Sequence, residues 1–216
     1  MMALSEDFYN NLKEEIEPYF KEKASHGFDH TQRVYNLALK IAENEDVDLD
    51  FLRTAVLLHD IARYKQYIGE VECHAEAGAI IAKELLIKLE FPEDKIDEVC
   101  NAIRNHRYSK GVKPQTKEEK ILQDADRLDA LGAVCIARVF SYGGLKGKEL
   151  YNPMDKIKNY THNSESASSF IHFYEKILKI KPETFHTKKA QEIAKGRYDF
   201  IVEFLDRFKK EWEGEI

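Results

Sequence analysis

The sequence predicts an all-α bundle. Apolar residues recur at the 3.6-residue helical period along most of the chain, strand-like alternation is scarce, and the clearest breaks carry glycine and proline. Phe8, Leu12, Ile16 and Tyr19 open a first helix expected to end near Pro18. Val34, Leu37, Ala38 and Ile41 define the next. Phe51, Leu52, Ala55, Val56 and Leu58 form an apolar face that runs into His59-Asp60. Ala75, Ala79, Ala82, Leu85 and Leu86 make a small-residue face that lets a helix pack closely. Ile96, Val99, Ala102 and Ile103 lead to His106, and Ile121, Leu122, Ala125, Leu128 and Leu131 bracket Asp126.

Later breaks are expected as loops. Residues 107–116 carry Gly111 and Pro114, and 141–148 carry Gly143, Gly144 and Gly147 among lysines. The second lacks the GxxxxGK[ST] order of a phosphate loop and reads as a surface connector rather than a lid. Residues 151–169 are polar and poorly periodic; helical pattern returns at 170–178, and a last helix is expected from Thr187 to Trp212. Its Phe200, Phe204, Phe208 and Trp212 could be core or interface, and core, the commoner case, is expected. The chain shows no internal repeat and no low-complexity segment. It is expected to be a single domain over 1–216, with a core at about 20–140 and a C-terminal helical extension at about 150–216.

Bulk properties narrow the function classes. With 33% charged and 43% hydrophobic residues, the 216-residue chain reads as soluble and globular. A net charge of −6 without a basic run argues against binding a nucleic-acid polymer, yet leaves room for small anions met by a local cationic pocket or a metal. Cys73, Cys100 and Cys135 are odd in number and form no CxxC pair, so they are expected to be small buried apolar residues in a reducing cytoplasm. The N-terminus lacks a signal-peptide pattern, and no apolar run approaches the roughly 20 residues that span a bilayer.

The chemistry starts at His59-Asp60, which follows four apolar residues, Ala55 to Leu58. Burying an imidazole and a carboxylate without partners costs several kcal/mol, roughly, and a bound cation offsets that. His30 lies upstream, and His74, His106 and Asp126 downstream. Four His and two Asp form a mixed nitrogen and oxygen donor set that suits Mn, Fe, Co, Ni or Zn, as one or two ions. His30 and His59 are 29 residues apart, about one helix, a connection and another helix. Each predicted helix would donate one or two groups to a common centre. Helix neighbours i and i+1 point about 100° apart, so His59 and Asp60 can serve different sides of one ion, or Asp60 can bridge two. Two ions about 3.5–4 Å apart clamp a phosphoryl group and generate hydroxide near neutral pH, so no side chain need be the nucleophile. None is suggested: there is no GxSxG, and no cysteine in an evident helix-start or base-flanked context. His162, His172 and His186 are read as structural.

His30, His59-Asp60 and Asp126 resemble the H…HD…D signature of the HD-domain superfamily of metal-dependent phosphohydrolases. The flanking residues fit: His26-Gly27-Phe28-Asp29-His30-Thr31, Leu57-Leu58-His59-Asp60-Ile61, and Asp124-Ala125-Asp126-Arg127-Leu128-Asp129. His74 and His106 match the two extra histidines of the dinuclear branch, which single-metal members lack. The C-terminal runs look like the last helices of a small bacterial HD subfamily, some of whose members resemble nucleotide pyrophosphohydrolases. The Gly-Tyr-Pro signature of the cyclic-dinucleotide phosphodiesterase branch is missing. The resemblance implies a helical bundle with the metal site in its core. His30, His59, Asp60 and Asp126 would hold the first ion, and His74 and His106, with Asp60 bridging, the second.

On the substrate side, phosphate calls for cationic donors. Arg63, Lys65, Arg107, Lys110, Arg127, Lys146 and Lys148 are available, with Arg63, Lys110 and Lys176 favoured, the last on the family likeness. Arg127 could instead pair with Asp124 or Asp129. Asp29, Asp124 and Asp129 are candidates to orient a ligand imidazole, and Glu76 a weaker candidate base. The sequence thus predicts a cytoplasmic, divalent-metal-dependent phosphohydrolase that uses a metal-activated hydroxide. Asp60, Arg63 and Lys110 serve the catalysis, on a small phosphorylated substrate for which a nucleotide is favoured, with no membrane partner and no oligomeric state specified. The alternatives are a di-iron oxygenase on the same ligands, as in rare relatives of the fold, and a nucleotide-sensing module.

Overall fold

A computed structural model describes residues 3–21, 27–159 and 165–216, so His26 and His162 lie outside the described residues. Ten α-helices and no strand occur among them: α1 (Glu6–Ile16), α2 (Phe28–Ala42), α3 (Leu49–Leu58), α4 (Arg63–Tyr67), α5 (His74–Lys88), α6 (Glu93–Asn105), α7 (Lys117–Asp129), α8 (Ala133–Leu145), α9 (Ser169–Glu175) and α10 (Lys188–Glu213). None of these helices alone is long and apolar enough to cross a membrane. The chain divides into two compact units, Met1–Asp126 and Arg127–Ile216.

In the first unit α5 packs most extensively on α6, and α3 packs on both α2 and α6. Apart from Leu37, which is half-buried, the faces read from periodicity are the buried ones: Val34, Ala38 and Ile41; Phe51, Leu52, Ala55, Val56 and Leu58; Ala75, Ala79, Ala82, Leu85 and Leu86; Ile96, Val99, Ala102 and Ile103. Local chemistry sets where helices begin. Ser5 caps α1 by accepting from Phe8 N–H, and Asp48 caps α3 by accepting from the amides of Asp50 and Phe51, both at 3.0 Å. After α1, Glu17 to Tyr19 tighten into a 3₁₀ turn around Pro18, as the proline predicts.

In the second unit α8 packs on α9 and α10. Thr187 caps α10 by accepting from Ala190 N–H, and Ser168 caps α9 by accepting from Ile171 N–H. The structure corrects two expectations here. Ser141 to Leu145 continue α8 instead of forming a loop, and only Lys146 to Lys148 turn, with Gly147 at φ +66°. Gly143 is there for space: a Cβ would fall 1.9 Å from Ser169 Oγ. The α10 aromatics are also not deep core. Phe200 and Trp212 are about half exposed, while Phe204 and Phe208 lie against Phe140.

Candidate metal centre

All six predicted donors belong to the first unit and come together there. His30 is on α2 and Asp126 on α7, but the others sit at helix ends. His59 follows the last residue of α3, Asp60 lies in the turn after it, His74 opens α5 and His106 follows α6. An apolar helix can thus be spent on packing while its terminus delivers the polar group.

Asp60 is the pivot. Its Oδ2 faces His30 Nε2 at 3.8 Å and His59 Nε2 at 3.9 Å; its Oδ1 faces His74 Nε2 at 3.1 Å and His106 Nε2 at 3.6 Å. Asp126 Oδ1 adds a second carboxylate oxygen beside the first pair, 3.4 Å from His30 Nε2 and 4.0 Å from His59 Nε2. Two triplets, His30-His59-Asp60 and Asp60-His74-His106, each bring ligand atoms within 4.8 Å of one another. Five of the six side chains are at most 5% exposed; Asp126, at 30%, marks the side open to solvent.

The hydrogen bonds decide what these atoms offer. His59 Nδ1 lies 2.7 Å from Val56 O, and His106 Nδ1 lies 2.6 Å from Ile103 O. A carbonyl only accepts, so each Nδ1 carries the proton and a neutral ring presents a lone pair at Nε2. His59 Nε2 is buried without a hydrogen-bond partner. Beside His106 Nε2, at 3.4 Å, stands His74 Nε2. The lone pairs of His59 and His106 and the Asp60 carboxylate converge, an arrangement suited to a cation. Two donors at about 2.1 Å from a common ion are about 3.0–3.4 Å apart at tetrahedral or octahedral angles; the separations here, 3.1–4.0 Å, start in that range and extend somewhat beyond it. The donor set therefore fits a divalent metal.

Electrostatics agree. Burial pushes the His59 imidazole down to about 4, and burial likewise lowers His74. Burial works against ionising Asp60, but the imidazoles of His59, His106 and His74 around it override that and hold the carboxyl well below the usual carboxylate range. Asp126 is lowered too, its burial outweighed by His30 and His59. His106 is drawn upward: the Asp60 carboxylate outweighs its burial, so a proton and a cation compete for the same Nε2.

The remaining sequence candidates divide. Arg63 stands at the centre, its Nη1 3.0 Å from His74 Nδ1. Lys110 is exposed in the short 3₁₀ turn Tyr108–Lys110. Lys176 caps the C-terminus of α9 in the second unit. Asp29 is bound by Arg33 at 2.6 Å and Asp129 by Arg138 at 2.7 Å; Asp124 is fully buried. The rings of His59 and His106 are oriented by backbone carbonyls three residues back instead of by these acids. Arg127 donates to Thr184 O and Oγ1 and stacks over Phe185, and Glu76 is engaged by Arg104. Cysteine expectations also need correction at Cys73. It is half-buried at the N-cap of α5, and although burial raises its thiol, the amides of Glu76 and Ala75 and Arg107 pull it lower. Cys100 and Cys135 are buried as expected. Gln66, unremarked in the sequence, reaches His74 from α4: its Oε1 accepts from the His74 backbone N–H at 3.3 Å and makes a very short contact with Nδ1.

Residues 27–131 match the HD domain family model. A predicted HD superfamily hydrolase from an uncultured Thermotogales bacterium is 36% identical, with 98% of this chain and 99% of that chain covered and a TM-score of 0.69. An HD-superfamily hydrolase from Bacillus thuringiensis is 32% identical, covering 96% and 97%, with a TM-score of 0.76. YpgQ of Bacillus subtilis, an uncharacterized protein, is 32% identical over 200 residues, 89% of this chain and 87% of YpgQ. Its structure in complex with ADP matches with a TM-score of 0.72 at 27% identity over 95% of each chain.

Proposed function

Because the chain belongs to the HD superfamily of metal-dependent hydrolases, we propose that it is a phosphohydrolase acting on a phosphate ester or anhydride, with a nucleotide as substrate. The observation that carries this is the Asp60 carboxylate, with one oxygen turned to each of two histidine pairs inside a buried cluster. His30, His59, Asp60 and Asp126 would hold one divalent cation, and His74, His106 and the other oxygen of Asp60 a second. Such cations, when bound, polarise a phosphoryl oxygen and bring the pKa of a coordinated water near 7.

The protein's own part is orientation and charge. Val56 O and Ile103 O hold the His59 and His106 rings with Nε2 turned inward. Apolar packing of Leu57, Leu58 and Ile61 around the doublet excludes bulk water and strengthens each electrostatic interaction within. Arg63 places a guanidinium beside the cluster, suited to the bidentate grip of phosphate oxygens. Lys110 and Lys176 are proposed as further anion contacts, the latter on the family likeness alone. ADP bound to YpgQ supports the nucleotide reading, and the hydrolase names of the relatives favour hydrolysis over oxygen activation.

The test is a panel of nucleoside mono-, di- and triphosphates and simple phosphate esters, incubated with Mn²⁺-loaded protein and read by phosphate or pyrophosphate release. Turnover that disappears in Asp60→Asn is expected. A panel without turnover, alongside metal-dependent O₂ consumption, would overturn the proposal.

A further inference from the structure

We infer that Gln66 is a positioning residue that fixes the His74 imidazole in the tautomer able to accept a second cation. The inference rests on the two-cation reading above. Gln66 lies on the short helix α4, eight residues before His74, and is half-buried. Its Nε2 donates to Glu72 O at 2.9 Å, and its Oε1 accepts the His74 backbone N–H at 3.3 Å. These two backbone contacts settle which way the amide points: flipped, it would set NH₂ against N–H and oxygen against oxygen. The same Oε1 meets His74 Nδ1. An amide oxygen only accepts, so Nδ1 must carry the single proton of the neutral ring. Nε2 is left as a lone pair, 3.1 Å from Asp60 Oδ1 and 3.4 Å from His106 Nε2.

A second neighbour favours the opposite arrangement. Arg63 Nη1 is 3.0 Å from the same Nδ1, and a guanidinium only donates. With Arg63 as its sole partner, Nδ1 would become the acceptor and the proton would move to Nε2, where it would point at Asp60 and block a cation. Gln66 is anchored to backbone at both ends of its amide; Arg63 reaches in on a long flexible stem. Gln66 therefore selects the metal-competent tautomer and leaves Arg63 available to an anion.

The experiment is a calorimetric titration of chelator-stripped full-length protein with Mn²⁺ alone, for wild type, Gln66→Leu and Gln66→Glu, with circular dichroism to confirm folding. Expected are two ions in the wild type. In Gln66→Leu the first should be retained within about twofold and the second weakened about 10–100-fold, the range for losing a ligand-orienting partner. Gln66→Glu keeps an acceptor at Nδ1 and should restore the second ion. Two ions at wild-type affinities in Gln66→Leu would overturn the role of Gln66 and leave the two-cation reading standing. One ion in the wild type would overturn both. Should Gln66→Leu fail to fold, long-range ¹H–¹⁵N imidazole NMR of the wild type decides: Nδ1–H at His74 supports the role, and Nε2–H in the stripped protein overturns it.

Discussion

Replacing Asp60 with asparagine tests the reading of the centre most sharply, because two readings of the same distances predict opposite results. If the cluster is a set of acceptors awaiting a cation, Asp60 matters mainly when the cation is present. Occupancy at 100 times Kd stabilises the fold by about 2.7 kcal/mol per site. For a chain of this size, 1 kcal/mol moves Tm by about 2–4 °C, so Mn²⁺ should raise the wild-type Tm by about 5–10 °C for one site alone. Asp60→Asn removes the anionic bridge between both histidine pairs, and that shift should vanish. The stripped variant should nevertheless melt within about 1 kcal/mol of stripped wild type. The asparagine NH₂ at the Oδ1 position, 3.1 Å from His74 Nε2, supplies the donor that the cluster lacks, and a net hydrogen bond contributes about 0.5–1.5 kcal/mol. The opposing reading makes Asp60 one half of a buried ion pair with a protonated histidine. Removing one partner of such a pair costs about 3–5 kcal/mol. Thermal melts of both proteins, stripped and Mn²⁺-loaded, separate the two. A deficit of that size in the stripped variant, or a Mn²⁺ response equal to wild type, would refute the acceptor-cluster argument.

Further predictions concern the scaffold. Burial, with Lys176 and Lys148 nearby and Glu175 opposing, pushes His172 from 6.5 down to about 4, and Ser166 Oγ lies 3.0 Å from its Nδ1. As pH falls below 6.5 the unfolded chain takes up this proton and the native state does not, so stability should decline between about pH 6.5 and 4 and be unaffected above. The loss attributable to His172 is at most about 3 kcal/mol, and His172→Gln should flatten that part of a urea-denaturation pH series; an unchanged slope would refute the assignment. Asp48→Ala loses the α3 cap and the Lys95 contact and should cost about 1–2 kcal/mol, measured by urea denaturation, with Mn²⁺ stoichiometry unaffected. Gly143→Ala should destabilise by about 1–3 kcal/mol through its clash with Ser169, whereas Gly144→Ala, which meets open space on the same helix, should be neutral or stabilising by up to about 1 kcal/mol. Equal effects of the two alanines on Tm would refute the account of α8.

The helical faces were legible because burial is what periodicity encodes: apart from Leu37, every residue of the apolar stripes from Val34 to Ile103 is buried. The end of α8 was misread because glycine was taken as punctuation. At Gly143 the glycine answers a steric demand from Ser169, 26 residues away in sequence, and nothing local signals that contact. The α10 aromatics were misjudged for a related reason. A stripe of Phe200, Phe204, Phe208 and Trp212 fixes which residues share a side of the helix, but not how far a neighbouring element covers it, and here the coverage falls away at both ends.

The gathering of these six side chains was legible because buried imidazoles and carboxylates are costly and six of them need a common cause. What orients them was not, and the reason is physical. The expected orienting groups were acids, since a carboxylate is the strongest acceptor for an imidazole N–H. At His59 and His106 the work falls to the carbonyls of Val56 and Ile103, three residues back. Placing a histidine at a helix C-terminus makes this possible, because the carbonyls of the last turn lack intrahelical partners and can accept from a side chain. His74 opens its helix, where the exposed groups are N–H donors, so no carbonyl is at hand and an acceptor must come from elsewhere. Gln66 fills that need. A histidine predicted as a ligand at a helix start should therefore prompt a search for a side-chain acceptor in the preceding turn, and at a C-terminus for the carbonyl at i−3.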